Sequence, residues 1–256
     1  PVSSTAHMRA IPAFLGWPDP GSAFSAAMQL AALTAVIVYF RSDLGSMIRA
    51  GVDTVRKRDF DTPELSLAMG TLVATIPIAV AGAALSNILN QCQSPLRQPI
   101  LIGTASVFVA GLMGAAEYFA KHKRPVTQFG YRDAILVGLA QVGALIPGVS
   151  RSGATLTASL ALGFRREDAA RVSFLLGVPA IALAGFHELW ILHQSGLPAR
   201  GWFALGIGLM VSSLSAFLAI WGLMRFLERH STWMLILYRA AFGLLLIVAA
   251  AEGWIR

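Results

Sequence analysis

Two short tracts in this chain carry the residue types that handle a phosphate. One is Pro147-Gly-Val-Ser-Arg-Ser-Gly-Ala-Thr155 and the other is Pro1-Val-Ser-Ser-Thr-Ala-His7. In the longer tract Arg151 offers a planar fork that matches two phosphate oxygens. Ser150, Ser152 and Thr155 add hydroxyls, and Gly153 permits a tight turn that bares backbone N–H groups. A helix is expected from Thr155 onward, so its dipole would also favour an anion. The alternative is that Arg151 holds the fold by pairing with a carboxylate or with carbonyls. In the shorter tract Ser3, Ser4 and Thr5 precede His7, where a helix is expected to begin. N-capping explains one of those hydroxyls better than all three. Beside them, and facing an arginine in apolar surroundings, His7 is a candidate general acid/base or nucleophile.

The elements that position these tracts are greasy. The chain has 256 residues, 56% hydrophobic and 13% charged. A soluble domain would carry about 25% charged residues, so an integral membrane protein is expected. The net charge of +7 comes from basic residues clustered between apolar runs, the positive-inside pattern. No basic stripe interleaved with aromatics points to nucleic acid. The single cysteine, Cys92, excludes an intrachain disulfide, and the histidines show no helical metal-ligand spacing. No signal peptide is visible, and the chain opens at Pro1 rather than Met, so natural sequence is expected upstream.

Six apolar stretches are long enough to cross a bilayer: 23–41, 66–87, 99–119, 168–187, 201–224 and 232–251. Loop 41–61 carries Arg41, Arg49, Arg56, Lys57 and Arg58, loop 120–132 carries Lys121, Lys123, Arg124 and Arg132, and loop 225–230 carries Arg225 and Arg229. These read as cytoplasmic. Loops 88–98 and 188–200, with only Arg97 and Arg200, read as outside. Residues 133–163 break the alternation, since basic clusters flank them at both ends. A re-entrant hairpin resolves the conflict: in along 133–146, turn at 147–155, back along 156–164. Irregular backbone at membrane depth must be covered by protein or line a watery cavity. Residues 1–14 read as the tip and returning arm of a matching hairpin. Each hairpin is followed by three spans, so the two units (1–119 and 133–251) sit inverted and their tips meet. Of the other polar residues, Gln29 and Gln141 read as interhelix hydrogen-bonding groups, His187 and His193 as interfacial, and Tyr238-Arg239 as an interfacial anchor. Trp190, Trp202 and Trp233 fit an aromatic belt.

At these two tracts the chain resembles the undecaprenyl-diphosphate phosphatase family, the bacterial bacitracin-resistance enzymes. Ser173-Phe-Leu-Leu, with Pro179 after it, is similar to a further family run, and the resemblance covers essentially the whole chain. It implies an all-α polytopic enzyme of the bacterial cytoplasmic (inner) membrane, with its site facing the periplasm. The reaction implied removes the terminal phosphate of a C55 polyprenyl diphosphate, returning the carrier to cell-wall synthesis. His7, Arg151 and Ser4 would be catalytic, with Ser4 or His7 the nucleophile. Ser3, Thr5, Ser150, Ser152, Gly153 and Thr155 would bind substrate. A divalent cation, Mg²⁺ or Ca²⁺, is implied as well; its carboxylate ligands would lie in a Glu-containing stretch upstream of Pro1. The partners expected are the polyprenyl diphosphate lipid, the membrane and a second copy of the chain. Two other readings share the chemistry: a non-hydrolytic polyprenyl-phosphate carrier, and a PAP2-type lipid phosphatase. The second, which has a Ser-Arg followed by a spaced His and Asp, is disfavoured because Ser150-Arg151 is followed by Ser, Gly, Ala and Thr and the next His is His187.

Overall fold

The computed structural model describes residues 4–17, 27–57, 60–85, 98–194 and 199–255. Ser3, Cys92, the start of the first expected span and most of loop 88–98 lie outside them. The described residues form α-helices in this order: α1 Ser4–Leu15, α2 Gln29–Tyr39, α3 Arg41–Lys57, α4 Pro63–Ala84, α5 Pro99–Phe119, α6 Tyr131–Val142, α7 Arg151–Ala161, α8 Arg166–Gln194, α9 Ala199–Leu227 and α10 Trp233–Ala251.

Among the described residues, five helices are long and apolar enough to cross a membrane: α4, α5, Arg166–Ile191 of α8, Gly201–Leu227 of α9, and α10. The bent pair α2 and α3, at 76° to each other, makes a sixth if it is one span. The chain is thus a multi-pass all-helical membrane protein. Helix boundaries fall near those expected because apolar runs end where charge or a cap begins. Thr62 caps α4 by accepting from the Leu65 N–H at 3.3 Å, with Pro63 at the first helical position. One expectation fails here. Residues 41–57, taken as loop because of their charge, are helix α3. Its charges are spaced so that it stays amphipathic, which charge counting alone misses.

The tightest packing is α10 on α5. A Cβ at Gly103 would lie 2.6 Å from the Gly243 carbonyl, and one at Gly243 2.7 Å from the Gly103 carbonyl. Two glycines let these backbones touch, as small residues do between membrane helices. The main buried cluster draws on α2, α4, α6, α7, α8 and α9 through residues such as Phe40, Val137, Leu160 and Leu176. A second joins Ala6 and Ala10 of α1 to Ile102 of α5 and Leu246 of α10. Gln141 is fully buried and donates to the Ala74 carbonyl on α4 at 3.3 Å, the interhelix role expected for it.

The basic segments gather at one end. Arg166 of α8 binds Glu117 of α5 at 2.6 Å, and Glu117 also accepts from Thr232 before α10 at 2.7 Å. Arg171 of α8 pairs with Asp43 of α3. At the same end the Lys123 and Arg124 N–H groups donate to the Gly163 carbonyl at 2.9 Å, and the Arg165 N–H to the Arg124 carbonyl at 2.9 Å. The segment carrying α6 and α7 therefore leaves and returns to one place. Arg124 closes its base with a two-point bond to Asp133, at 3.0 and 2.8 Å.

Candidate active site

The second tract forms the tip of the α6–α7 hairpin. Helix α6 tightens into a 3-10 turn at Gly143–Leu145, and the chain then bends through Pro147. Gly148 has φ +97°, and a Cβ there would run into the Ile102 carbonyl of α5. Only glycine fits this left-handed, backbone-to-backbone approach. Ser150 follows with φ +64°. Positive φ on a non-glycine residue costs about 1–3 kcal/mol and persists where surroundings enforce it. Its hydroxyl accepts from the Gly153 N–H at 3.3 Å and sits 3.3 Å from the Ser152 hydroxyl. Ser150 is thus the N-cap, and α7 begins at Arg151 rather than Thr155. The shift places Arg151 in the first turn, where N–H groups and dipole both favour an anion.

Arg151 is partly buried, and its side chain lies along α8 at Gly177, where a Cβ would be 3.4 Å from Nη2. Among the described residues no hydrogen bond or ion pair engages its guanidinium. The alternative in which Arg151 holds the fold through a carboxylate or carbonyls has no partner to supply it there.

That structural role belongs to Arg239. Arg239 was expected at the interface; it is buried, 2% exposed. Its guanidinium donates to the Gly148 carbonyl at 2.6 Å, to the Val149 carbonyl, and through Nε to the Ser106 carbonyl at 3.2 Å. A cation inside a 19-residue apolar helix is costly unless satisfied. The signal that singled out Arg151, a charge in an apolar run, was equally present at Arg239. Gly153 takes its meaning from this contact: a Cβ there would collide with Arg239 Nη1. Thr155 is fully buried. Its hydroxyl donates to the Arg151 carbonyl at 2.9 Å and lies 2.6 Å from the Ser173 hydroxyl. Ser173 in turn donates to the Ser152 carbonyl at 3.2 Å. The structure thus ties Thr155 to α8, giving it a positioning contact in place of an open donor.

The first tract is the start of α1, which begins at Ser4, earlier than expected. Ser4 is exposed, Thr5 is described by its backbone alone, and Ser3 lies outside the described residues. The His7 ring stacks on Phe242 at 4.1 Å between centroids, and its Nε2 is 2.6 Å from the Tyr238 hydroxyl. His7 and the 148–151 turn are therefore both held against residues 238–242 of α10. Ile102 is shared as well, through its buried cluster with Ala6 and its contact with Gly148. Among the described residues no three His, Cys, Asp or Glu side chains gather as a metal site. The implied divalent cation has no ligand set among them.

Comparisons with known proteins agree along the full length. The chain is 57% identical over its whole length to undecaprenyl-diphosphatase 2 of Mesorhizobium japonicum, covering 97% of that protein. It is 43% identical over its whole length to the undecaprenyl-diphosphatase of Synechococcus elongatus, covering 89% of it. With that of Gloeobacter violaceus it shares 45% identity over 99% of this chain and 87% of the other. A family model described as bacitracin resistance protein BacA matches residues 1–245. By that match and those identities, the chain belongs to the bacitracin resistance protein BacA family.

Proposed function

We propose that this protein hydrolyses undecaprenyl diphosphate to undecaprenyl phosphate and inorganic phosphate, recycling the lipid carrier of cell-wall synthesis. Membership of the family and the names of its relatives support this reading. The single structural observation that carries it is Arg151: a guanidinium at the start of α7, with no partner among the described residues, inside a membrane protein. Such a group calls for a phosphate.

In this mechanism the diphosphate sits between the start of α1 and the tip of the α6–α7 hairpin. Arg151 and the first turn of α7 spread the charge of the transferring phosphoryl group, the main demand of this chemistry. Ser150, Ser152 and Gly153 shape the anion's seat. Ser4 or His7 attacks the terminal phosphorus, the bond to the bridging oxygen breaks and undecaprenyl phosphate leaves; water then cleaves the phosphoryl-enzyme bond, releasing inorganic phosphate and restoring the nucleophile. The stacked, hydrogen-bonded setting of His7 suits the holding and return of a proton, so Ser4 is the better nucleophile. The two hairpins are re-entrant, the units 1–119 and 133–251 are inverted repeats, and the site opens to the periplasmic face of the inner membrane.

The test is phosphate release from undecaprenyl diphosphate in detergent, with no gradient. Wild-type protein releases phosphate, and Arg151→Ala lowers kcat/KM by about a hundredfold or more without loss of the folded state. Near-normal turnover in Arg151→Ala refutes the assignment. Binding without release in wild-type protein refutes hydrolysis and favours the carrier reading.

A further inference from the structure

Helix α3 takes no part in the candidate active site. It turns by 76° from α2, so it does not continue that helix across the membrane. Its sequence forbids it to: Arg41, Asp43, Arg49, Asp53, Arg56 and Lys57 fall within its 17 residues, a charge load too costly at membrane depth. The pair between Asp43 and Arg171 fixes α3 at the basic end of the bundle. One face packs inward, on α4, with Met47 and Thr54 buried. Another face is bare. Ile48, Val52 and Val55 are 67%, 47% and 84% exposed, at spacings of four and three that stack them in one row. Arg41 heads the same row, two turns before Ile48. Arg49 and Arg56, both exposed, each follow a member of the row by one residue and so line one edge of it. Of the acidic residues, Asp43 is engaged by Arg171, and Asp53 is half-buried, further round the helix than either arginine.

We infer that α3 lies in the interface of the leaflet at the basic end and gathers anionic phospholipids there. Ile48, Val52 and Val55 enter the acyl boundary, and Arg41, Arg49 and Arg56 hold headgroup phosphates. Three features select this occupant. A helix that is polar except for one narrow apolar row lies in the interface plane, with that row sunk about 5–10 Å. The edge beside the row is basic, and each arginine near a negative surface favours anionic lipid about fivefold. The position of α3 is also fixed by its neighbours: it packs on α4 and is tied to the charged start of α8, two helices long and apolar enough to cross the membrane. A second copy of the chain, meeting this face about a two-fold axis, would bring the arginine edges together and be repelled.

The experiment places a fluorophore at Val55→Cys or Ser42→Cys, each in a Cys92→Ser chain, reconstituted in vesicles of phosphatidylcholine and phosphatidylglycerol. Ser42 is exposed but off the apolar row. The probe at 55 is expected to be quenched by nitroxide carried on lipid and shielded from a neutral water-soluble quencher, which reaches the probe at 42. Nitroxide on phosphatidylglycerol should quench the probe at 55 about fivefold more than the same group on phosphatidylcholine. Arg49→Gln with Arg56→Gln should bring that ratio to within about twofold. Both arginines are exposed, so packing is spared, and high salt reads the same attraction with no substitution at all. Equal access of the water-soluble quencher at 42 and 55 overturns the inference, as does equal quenching by the two lipids. Shielding of the probe at 55 from both quenchers also overturns it and gives the face to a second copy. So does a lipid preference that survives both the glutamines and the salt.

Discussion

Gly153→Ala tests how the hairpin tip is held. The added methyl group has nowhere to go, because Arg239 Nη1 occupies its position. Arg239 cannot retreat freely, since it donates to the carbonyls of Ser106, Gly148 and Val149. Overpacking of this kind costs about 1–3 kcal/mol. Displacing the guanidinium adds its hydrogen bonds, about 0.6–1.7 kcal/mol each inside a membrane protein. A destabilisation of about 2–5 kcal/mol is expected, with kcat/KM falling as the turn before Arg151 loosens. Arg239→Met removes the same bonds while filling similar space. In that background Gly153→Ala meets a flexible thioether and its added cost falls below about 1 kcal/mol, the non-additivity of groups in contact. Detergent-solubilised variants unfolded in a denaturant series, with phosphate release measured on the same samples, give the double-mutant cycle. Additive effects, or an inert Gly153→Ala, would refute the reasoning.

Thr155→Val keeps volume but deletes the bonds to the Arg151 carbonyl and to Ser173; stability drops by about 1–2 kcal/mol while KM holds. A raised KM at unchanged stability would return Thr155 to the phosphate. Tyr238→Phe removes the phenol 2.6 Å from His7 Nε2 and lowers kcat about tenfold, some 1.4 kcal/mol, with KM little changed; steady-state kinetics decide. Glu117→Gln breaks the bond to Arg166, which reaches partly to water, so about 1–3 kcal/mol of stability is lost. A thermal midpoint equal to wild type would contradict the role given to that cluster.

The helices were legible because a membrane allows few ways to satisfy backbone groups, so apolar length is nearly structure. Charge bookkeeping put Arg124 and Arg165 at one end, and their backbones do bond to each other. Three things were not legible. Helix α3 hid behind its charges. Arg239 lay in a run apolar enough to mask one cation, next to a tyrosine that suggested an interface. The duties of Gly153 and Thr155 depend on contacts with α10 and α8 that no local pattern encodes.

The convergence of the two tips is most directly measured by cross-linking. Cys92 is the single native cysteine, so Ser4→Cys with Ser150→Cys in a Cys92→Ser chain gives one defined pair. A short bis-maleimide should join them within one polypeptide, and undecaprenyl diphosphate should block the reaction. Two cysteines that each react but never with one another, with or without the lipid, would place the tips apart and contradict a shared diphosphate site.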